Sequence, residues 1–325
     1  MEWLSAGQTR QMMNSYGAQG TPFLCAVNYE LTEGFVLPYP LEQNEVWWNV
    51  EGVTNQHFSA TGSMGRYFTP LPSSEESYAD KFRIARNGLL RGDSFLLNLT
   101  VATDLDTDFT LEEIYIRSQA RYKLLVPDRF VCFSPETFVI MSDGRISSFP
   151  MKGTIRADIP DAENRILNDY KESAEHHTIV DLIRNDLNRI STDVRVERFR
   201  YIDRLRTNRG EILQVSSQVT GNLPEDYTSR LGDLIFDMLP AGSISGAPKT
   251  STVRIIREAE KEDRGFYTGI FGYFDGKCFR SAVMIRFIER QGDCFRFRSG
   301  GGITINSDCS AEYQEVLQKV YLPFL

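Results

Sequence analysis

Three short turns limit the fold of this 325-residue chain more than any other feature. Asp143-Gly144 joins the apolar run Phe130–Met141 to Arg145–Phe149. Asp275-Gly276 joins Phe266–Phe274 to Cys278–Ile288, and Gln291-Gly292-Asp293 leads on into Cys294–Arg298. Asp-Gly between two apolar runs is a hairpin signal, because both central positions need a left-handed backbone that these residues tolerate. Hairpins pair strands antiparallel. Helices are expected near 162–189, 226–238, 248–262 and 309–320, and they do not alternate one-for-one with strands. The pattern is that of an α+β chain, mostly antiparallel sheet with helices packed outside.

The remaining segments fit that frame. Residues 1–20 read as a short helix. Phe23–Tyr29, Phe35–Leu37 and Val46–Val50 are apolar runs of strand length, punctuated by Gly, Pro and Asn. Residues 69–77 look like a connector. A helix follows from Tyr78 to about Arg91, its apolar set being Phe82, Ile84, Ala85, Leu89 and Leu90. A strand is expected over Ser94–Val101 and a helix near 110–123. Pro248 suits the first turn of its helix, with Ser245 or Gly246 as the cap. The expected division is a short strand-rich region, 1–75, packed on a main region, 76–325.

Bulk charge removes some functions. A net charge of −8 argues against general nucleic-acid binding, which needs a basic surface, yet leaves room for a local basic pocket. The five cysteines are odd in number and show no CxxC or Cys/His ligand spacing, so structural zinc is not expected and a reducing compartment is. No signal pattern opens the chain and no apolar run approaches a membrane span. The expectation is a cytoplasmic protein with no membrane partner.

Several groups have the chemistry of an anion-plus-metal site. Ser299-Gly300-Gly301-Gly302 ends a strand, and glycines let successive N–H groups face one anion; a tight turn explains the run as well. Gly242 to Thr250 is not a phosphate loop, because Ala247-Pro248 separates Gly246 from Lys249. Glu312 and Glu315 share one helix face, with Lys319 a turn later, and Glu172 and Glu175 repeat the spacing. Two helices each giving a glutamate can hold Mg²⁺, which takes one or two carboxylates plus waters and substrate; taken alone, two solvated helix faces are the favoured explanation. His176 and His177 point about 100° apart on a helix, so packing roles are expected of them. Arg286, within the apolar run Ala282–Ile288, needs an anionic partner if buried. Lys152 lies among apolar residues and glycine. Taken alone it reads first as a surface lysine, but if kept from water its pKa would fall and free the amine as base or nucleophile.

Read in order, these segments resemble the chorismate-utilising enzymes. The similarity covers about 78–325 and rests on Ser134-Pro135-Glu136, Pro150-Met151-Lys152-Gly153-Thr154, Ala174-Glu175-His176, Ile179–Leu187, Gly242–Lys249, Ile285-Arg286, Ser299–Ile303 and Ala311–Glu315. The resemblance implies a large antiparallel β-sandwich of two sheets with helices outside, and a reaction of chorismate with Mg²⁺. By position, Glu175 and Glu315 look like the metal ligands, with Glu172 and Glu312 close behind. Thr154, Ser243, Tyr267, Arg286, Lys319 and the amides of Gly300, Gly301 and Gly302 look like the substrate pocket.

Lys152 indicates the branch. Anthranilate synthases resemble Pro-Ile-Ala-Gly-Thr here, and aminodeoxychorismate synthases resemble Pro-Ile-Lys-Gly-Thr. In the latter branch the lysine is thought to attack C2 of chorismate while the 4-hydroxyl leaves, and ammonia then attacks C4 to give 4-amino-4-deoxychorismate, the precursor of p-aminobenzoate and folate. Glu136 matches the acid that protonates the departing hydroxyl. Leu96 falls where isochorismate synthases carry a lysine that activates water, and leucine cannot act as a base. Gln214 stands where relatives often carry a histidine, so any acid role there must pass to another group. The tryptophan-binding elements of longer relatives are not found in residues 1–75. The chain has three histidines, His57, His176 and His177, and no Cys-His glutaminase signature. The family's answer is a separate glutamine amidotransferase subunit, which is the expected partner. Anthranilate synthase, isochorismate synthase and a non-catalytic regulatory homologue are the competing expectations.

Overall fold

Each of the three turns closes a hairpin. Thr137–Ser142 pairs with Arg145–Ser148, Ile270–Phe274 with Phe279–Val283, and Phe287–Gln291 with Cys294–Ile303. At the first turn Asp143 and Gly144 take φ of 52° and 72°, the left-handed pair that such a turn needs. The computed structural model describes residues 1–58, 65–207 and 210–324. Among them no helix is long and apolar enough to cross a membrane.

The strands form two antiparallel sheets, one of ten strands and one of nine. The first runs Leu4–Ser5, Glu33–Pro38, Phe23–Val27, Ile270–Phe274, Phe279–Val283, Thr137–Ser142, Arg145–Ser148 and Gly210–Asn222. Met151–Arg156 and Thr192–Thr207 also pair onto Gly210–Asn222. The second runs Gly246–Ala247, Leu96–Thr107, Cys294–Ile303, Phe287–Gln291, Phe130–Ser134, Tyr122–Val126, Trp47–Val50 and Val53–Thr54. Phe68–Leu71 lies along the far end of Leu96–Thr107. Residues 1–75 therefore give strands to both sheets. The α+β sandwich expected from the family resemblance is the observed architecture.

Two runs expected to be single strands are each two strands, in different sheets. The run Phe130–Met141 leaves the second sheet after Ser134, passes Pro135-Glu136, and enters the first sheet at Thr137. Proline has no N–H for a ladder, so the break falls where pairing must stop. The run Cys278–Ile288 crosses the other way at residues 284–286, and Arg286 takes a left-handed φ of 53°. The crossings lie side by side. Thr137 is opposite Ala282 in one sheet, and Cys132 is opposite Phe287 in the other. Between them Val283 N–H donates to the Glu136 carbonyl (3.2 Å) and Phe133 N–H to the Arg286 carbonyl (3.0 Å). One bent two-stranded ribbon thus passes between the sheets, with Glu136 and Arg286 at its bend.

Other boundaries differ for local reasons. The helix expected over 162–189 is two, Ala162–Leu167 and Tyr170–Asn188. Asp169 caps the second, accepting from Glu172 N–H. The helix near 110–123 stops at Arg117, and Tyr122–Val126 is a strand. Pro248 is itself the N-cap of Lys249–Glu260. Neither expected cap acts as one: Ser245 Oγ donates to the Ala241 carbonyl (2.7 Å), and Gly246 pairs with Leu97. The long hairpin of Thr192–Thr207 and Gly210–Asn222 was not anticipated, because the arginine-rich first strand lacks an apolar run.

Helices close the outside of the sheets. Tyr170–Asn188 buries Ile179, Val180, Ile183 and Leu187 in the same cluster as Phe138 and Val139. Ala6–Gln19 and Leu231–Met238 meet through glycines. A Cβ on Gly232 would lie 2.1 Å from the Arg10 carbonyl oxygen, and one on Gly17 would lie 2.0 Å from that of Thr228. In a helix interior alanine is better than glycine by about 1 kcal/mol, but here a backbone oxygen occupies the space. Gly232→Ala is expected to destabilise the protein by about 1–3 kcal/mol through overpacking, read as a lower urea midpoint at unchanged slope.

Candidate active site

A cavity of about 560 Å³ opens where the ribbon bends, with lining residues from both sheets. That volume is in the range of small-molecule sites. Glu136 and Arg286 come from the bend. Lys152 and Thr154 come from Met151–Arg156, and Gly300, Gly301 and Gly302 from the end of Cys294–Ile303. Ser243 lies in the loop before Gly246, and Tyr267 in the loop before Ile270. Glu172 and Glu175 project from Tyr170–Asn188, and Glu315 and Lys319 from the last helix, Cys309–Gln318, and its cap. Of the residues expected in the site, Glu312 alone is not on this wall. It is buried, and a Cβ on Gly301 would stand 3.4 Å from its Oε2, so it backs the glycine run.

Lys152 is the centre of one charged group. Its Nζ donates to Glu175 Oε2 at 2.9 Å. A Cβ on Gly302 would lie 3.9 Å from the same Nζ, and a Cβ on Gly153 would lie 3.1 Å from Glu172 Oε2. The glycines are what let ammonium, carboxylates and backbone crowd together. Lys152 is half-buried on the cavity wall rather than a surface lysine, and the fall in pKa that burial would bring does not follow. Burial alone pulls it down, but the carboxylates of Glu175, Glu315 and Glu172 outweigh burial and hold it above its ordinary value. With these neighbours Lys152 is an ammonium.

Lys319 is the centre of a second group. Its Nζ donates to Glu315 Oε1 at 2.8 Å and to the Gly300 carbonyl at 2.7 Å, tying the last helix to the glycine run. Arg286 Nη1 donates to the Lys319 carbonyl at 3.2 Å, and its guanidinium lies 5.0 Å from the Tyr321 ring centroid. Arg286, Lys319 and Lys152 put cations on the wall of this cavity beside the carboxylates of Glu172, Glu175 and Glu315.

Glu136 behaves as an acid. Burial raises its pKa above the usual carboxylate range. Donation from Ser243 Oγ, at 2.9 Å to Oε1, and the charges of Lys152 and Lys319 offset only part of the shift. The carboxyl keeps its proton to a higher pH than a solvated glutamate would.

The two histidines separate as helix geometry requires. His176 is buried, with Nε2 2.7 Å from Ser217 Oγ. Burial, helped by Arg200, His177 and Lys152, lowers its pKa to about 4, so it is neutral. His177 is exposed and contacts the Ser173 carbonyl through Nδ1. Gln214 lines the cavity opposite Thr154 in the ladder.

Three further residues shape the wall, and sequence reasoning assigned them no role. Asp186 accepts from Gly242 N–H (2.9 Å) and Lys249 Nζ (2.9 Å), clamping the Gly242–Gly246 loop against the helix Tyr170–Asn188. Asn98 lines the cavity with a buried Oδ1 that has no hydrogen-bond partner. A polar residue inside the apolar strand Leu96–Val101 was the available signal for it. The Asp186–Lys249 pair left none, since 63 positions separate its members.

The donor set fits magnesium. Among the described residues no three His, Cys, Asp or Glu side chains converge as a ready-made metal cage. Mg²⁺ is usually held by one or two carboxylates completed by waters and substrate, and glutamates on two helices face this cavity.

The chain matches the family model of the chorismate binding enzymes over residues 41–323. It belongs to that family. Within these chorismate binding enzymes it is 46% identical over 314 residues to an uncharacterized PabA-like protein of Haemophilus influenzae, covering 96% of this chain and 95% of that one. It is 34% identical over 262 residues to an anthranilate synthase component 1 of Haloarcula marismortui, covering 76% of this chain and 52% of the relative. It is 31% identical over 266 residues to the aminodeoxychorismate synthase component 1 of Bacillus subtilis, covering 77% and 55%. The chain spans about half the length of these last two relatives. The menaquinone-specific isochorismate synthase of Escherichia coli superimposes with a TM-score of 0.74 at 17% identity, covering 98% of this chain and 82% of that one, a likeness of fold.

Proposed function

We propose that this chorismate-utilising enzyme aminates chorismate to 4-amino-4-deoxychorismate, as component I of an aminodeoxychorismate synthase, in the cytoplasm and on the way to p-aminobenzoate and folate. The observation that carries the reading is Lys152. It sets a primary amine on the wall of the cavity, between Glu175 and the glycine run, with the half-buried acid Glu136 on the same wall. A chorismate enzyme that used only a positioned water would need no amine there.

Glu175 and Glu315 would hold Mg²⁺, with Glu172 beside them and Glu312 behind. The ion would supply positive charge to a substrate carboxylate. Arg286, Lys319 and the Gly300–Gly302 backbone would take the other carboxylate. Thr154 and Ser243 would orient the ring. Lys152 loses a proton to solvent before it attacks C2 as the C4–O bond breaks, and Glu136 donates the proton with which the hydroxyl leaves as water; the amine takes its proton back from solvent once the C2–Nζ bond has broken. Ammonia then bonds to C4 while the C2–Nζ bond breaks, and the surplus proton of the ammonia returns to Glu136. Chorismate and ammonia are consumed, and one water is released. The ammonia would come from a separate glutamine amidotransferase partner.

Anthranilate formation is the second reading, favoured by the 34% identity to an anthranilate synthase component. Isochorismate formation is disfavoured by Leu96, an apolar side chain on the wall beside Gly302.

Products formed from chorismate, Mg²⁺ and an ammonium salt, resolved by mass, decide between these readings. An amine that retains the enolpyruvyl group is expected; anthranilate with free pyruvate would overturn the proposal. Lys152→Ala is expected to abolish amination by at least a hundredfold, and wild-type turnover in this variant would remove Lys152 as nucleophile. For Glu136, the protonated acid is the active form and its pKa is raised, so kcat should fall as pH rises through that value. Glu136→Gln should lower kcat about 10²–10⁴-fold and erase that limb. Glu315→Gln should raise the Mg²⁺ concentration for half-maximal rate about tenfold or more, and an unchanged requirement would dismiss Glu315 as a ligand.

A further inference from the structure

Behind the cavity sits a buried ion pair that none of the chemistry above uses. Arg264 and Glu260 are 1% and 2% exposed. Arg264 Nε donates to Glu260 Oε2 at 2.8 Å, and Nη2 donates to Oε1 at 2.7 Å. The guanidinium has five N–H donors in a fixed plane, and the other three are also engaged. Nη1 donates to the Ile244 carbonyl (3.0 Å) and to Thr268 Oγ1 (3.4 Å), and Nη2 to the Asn98 carbonyl (2.7 Å). Glu260 Oε1 also accepts from Thr100 N–H at 2.8 Å. The Tyr29 ring covers one face of the plane, 4.5 Å from the guanidinium carbon.

The three groups held by the free side of the fork share one property. Ile244, Thr268 and Asn98 all line the cavity, and they come from three separate stretches of chain: the loop before Gly246, the loop before Ile270, and the strand Leu96–Thr107. We infer that Arg264, oriented by Glu260, is a positioning residue for the reaction. It sets the mutual placement of three segments of the substrate-facing wall without touching substrate. The inference rests on the chorismate reading proposed above.

Stability does not explain the pair. Burying two charges costs desolvation that their attraction barely recovers, and apolar residues of similar volume hold a core as well or better. What apolar residues cannot do is direct three backbone or hydroxyl groups from one rigid plane. A lysine keeps the charge but has one compact head on a flexible stem, and it cannot reach Glu260 and all three wall groups together. Small misplacements of a reactive geometry cost up to about a hundredfold in rate.

Two variants test this. Arg264→Met combined with Glu260→Leu removes both charges together, so no unpaired charge is left in the core. Arg264→Lys keeps the pair and loses the fork. Both are measured by thermal melting, by chorismate affinity in calorimetry with Mg²⁺, and by steady-state chorismate consumption with ammonium. The expected result is a melting temperature at or near wild type in at least one variant, with kcat lowered about 10–100-fold and KM changed much less. If either variant folds and keeps kcat within twofold of wild type, the pair is only core packing and the inference is overturned. If wild type itself neither binds nor consumes chorismate, the functional reading fails instead, a result seen before any variant is made.

Discussion

The bend in one two-stranded ribbon is the constraint on which the rest of the molecule depends. Phe130–Ser142 and Phe279–Gln291 each begin in one sheet and end in the other, and they do so side by side. Two sheets joined in this way cannot slide past one another, because a change of register in one must be matched in the other. The bend also has a chemical result. A residue at the end of a ladder has its side chain directed by neither sheet's alternation, and the two residues at this bend are Glu136 and Arg286. Left-handed backbone at Arg286 costs about 1–2 kcal/mol in an L-residue. Hydrogen bonds across the bend, to the carbonyls of both residues, hold it there.

The cavity that results is charged but largely balanced. Lys152 is held by Glu175, and Lys319 by Glu315. These are the residues expected to handle substrate and cation, and each cation is bonded to a carboxylate that a metal would claim. On the function proposed, a dianionic ligand arriving with a divalent cation would exchange these partners: carboxylate to metal, lysine to substrate.

Much of this was legible in the sequence, and the failures have physical causes. The Asp-Gly turns marked the hairpins, because turn chemistry is local. The glycine run read equally as a turn, the paired glutamates and Lys152 read alone as surface groups, and it was the family resemblance that gathered them into one site. The two sheet crossings were not legible: an apolar run looks the same whether it stays in one sheet or changes sheets, and only Pro135 hinted at a break. Thr192–Thr207 was missed because its arginines mask alternation in a strand paired on only one edge. Lys152 read alone as a surface lysine because the carboxylates that hold its charge, Glu175 first and then Glu315 and Glu172, come from two helices elsewhere in the chain. Asp186 and Lys249, like Arg264 with Asn98 and Ile244, are joined only by tertiary contact.

The pairing of Phe23–Val27 with Ile270–Phe274 also bears on how the protein is made. Phe23–Val27 leaves the ribosome long before its partner Ile270–Phe274, and waits for it. Until then Phe23, Leu24, Cys25, Ala26 and Val27, all fully buried in the finished molecule, have only the neighbouring strand Glu33–Pro38 and the helix Ala6–Gln19 to cover them. Non-local pairing of this kind slows folding and leaves an apolar edge open to other chains. Until Ile270–Phe274 arrives, that edge of Phe23–Val27 is open to any other strand able to pair with it.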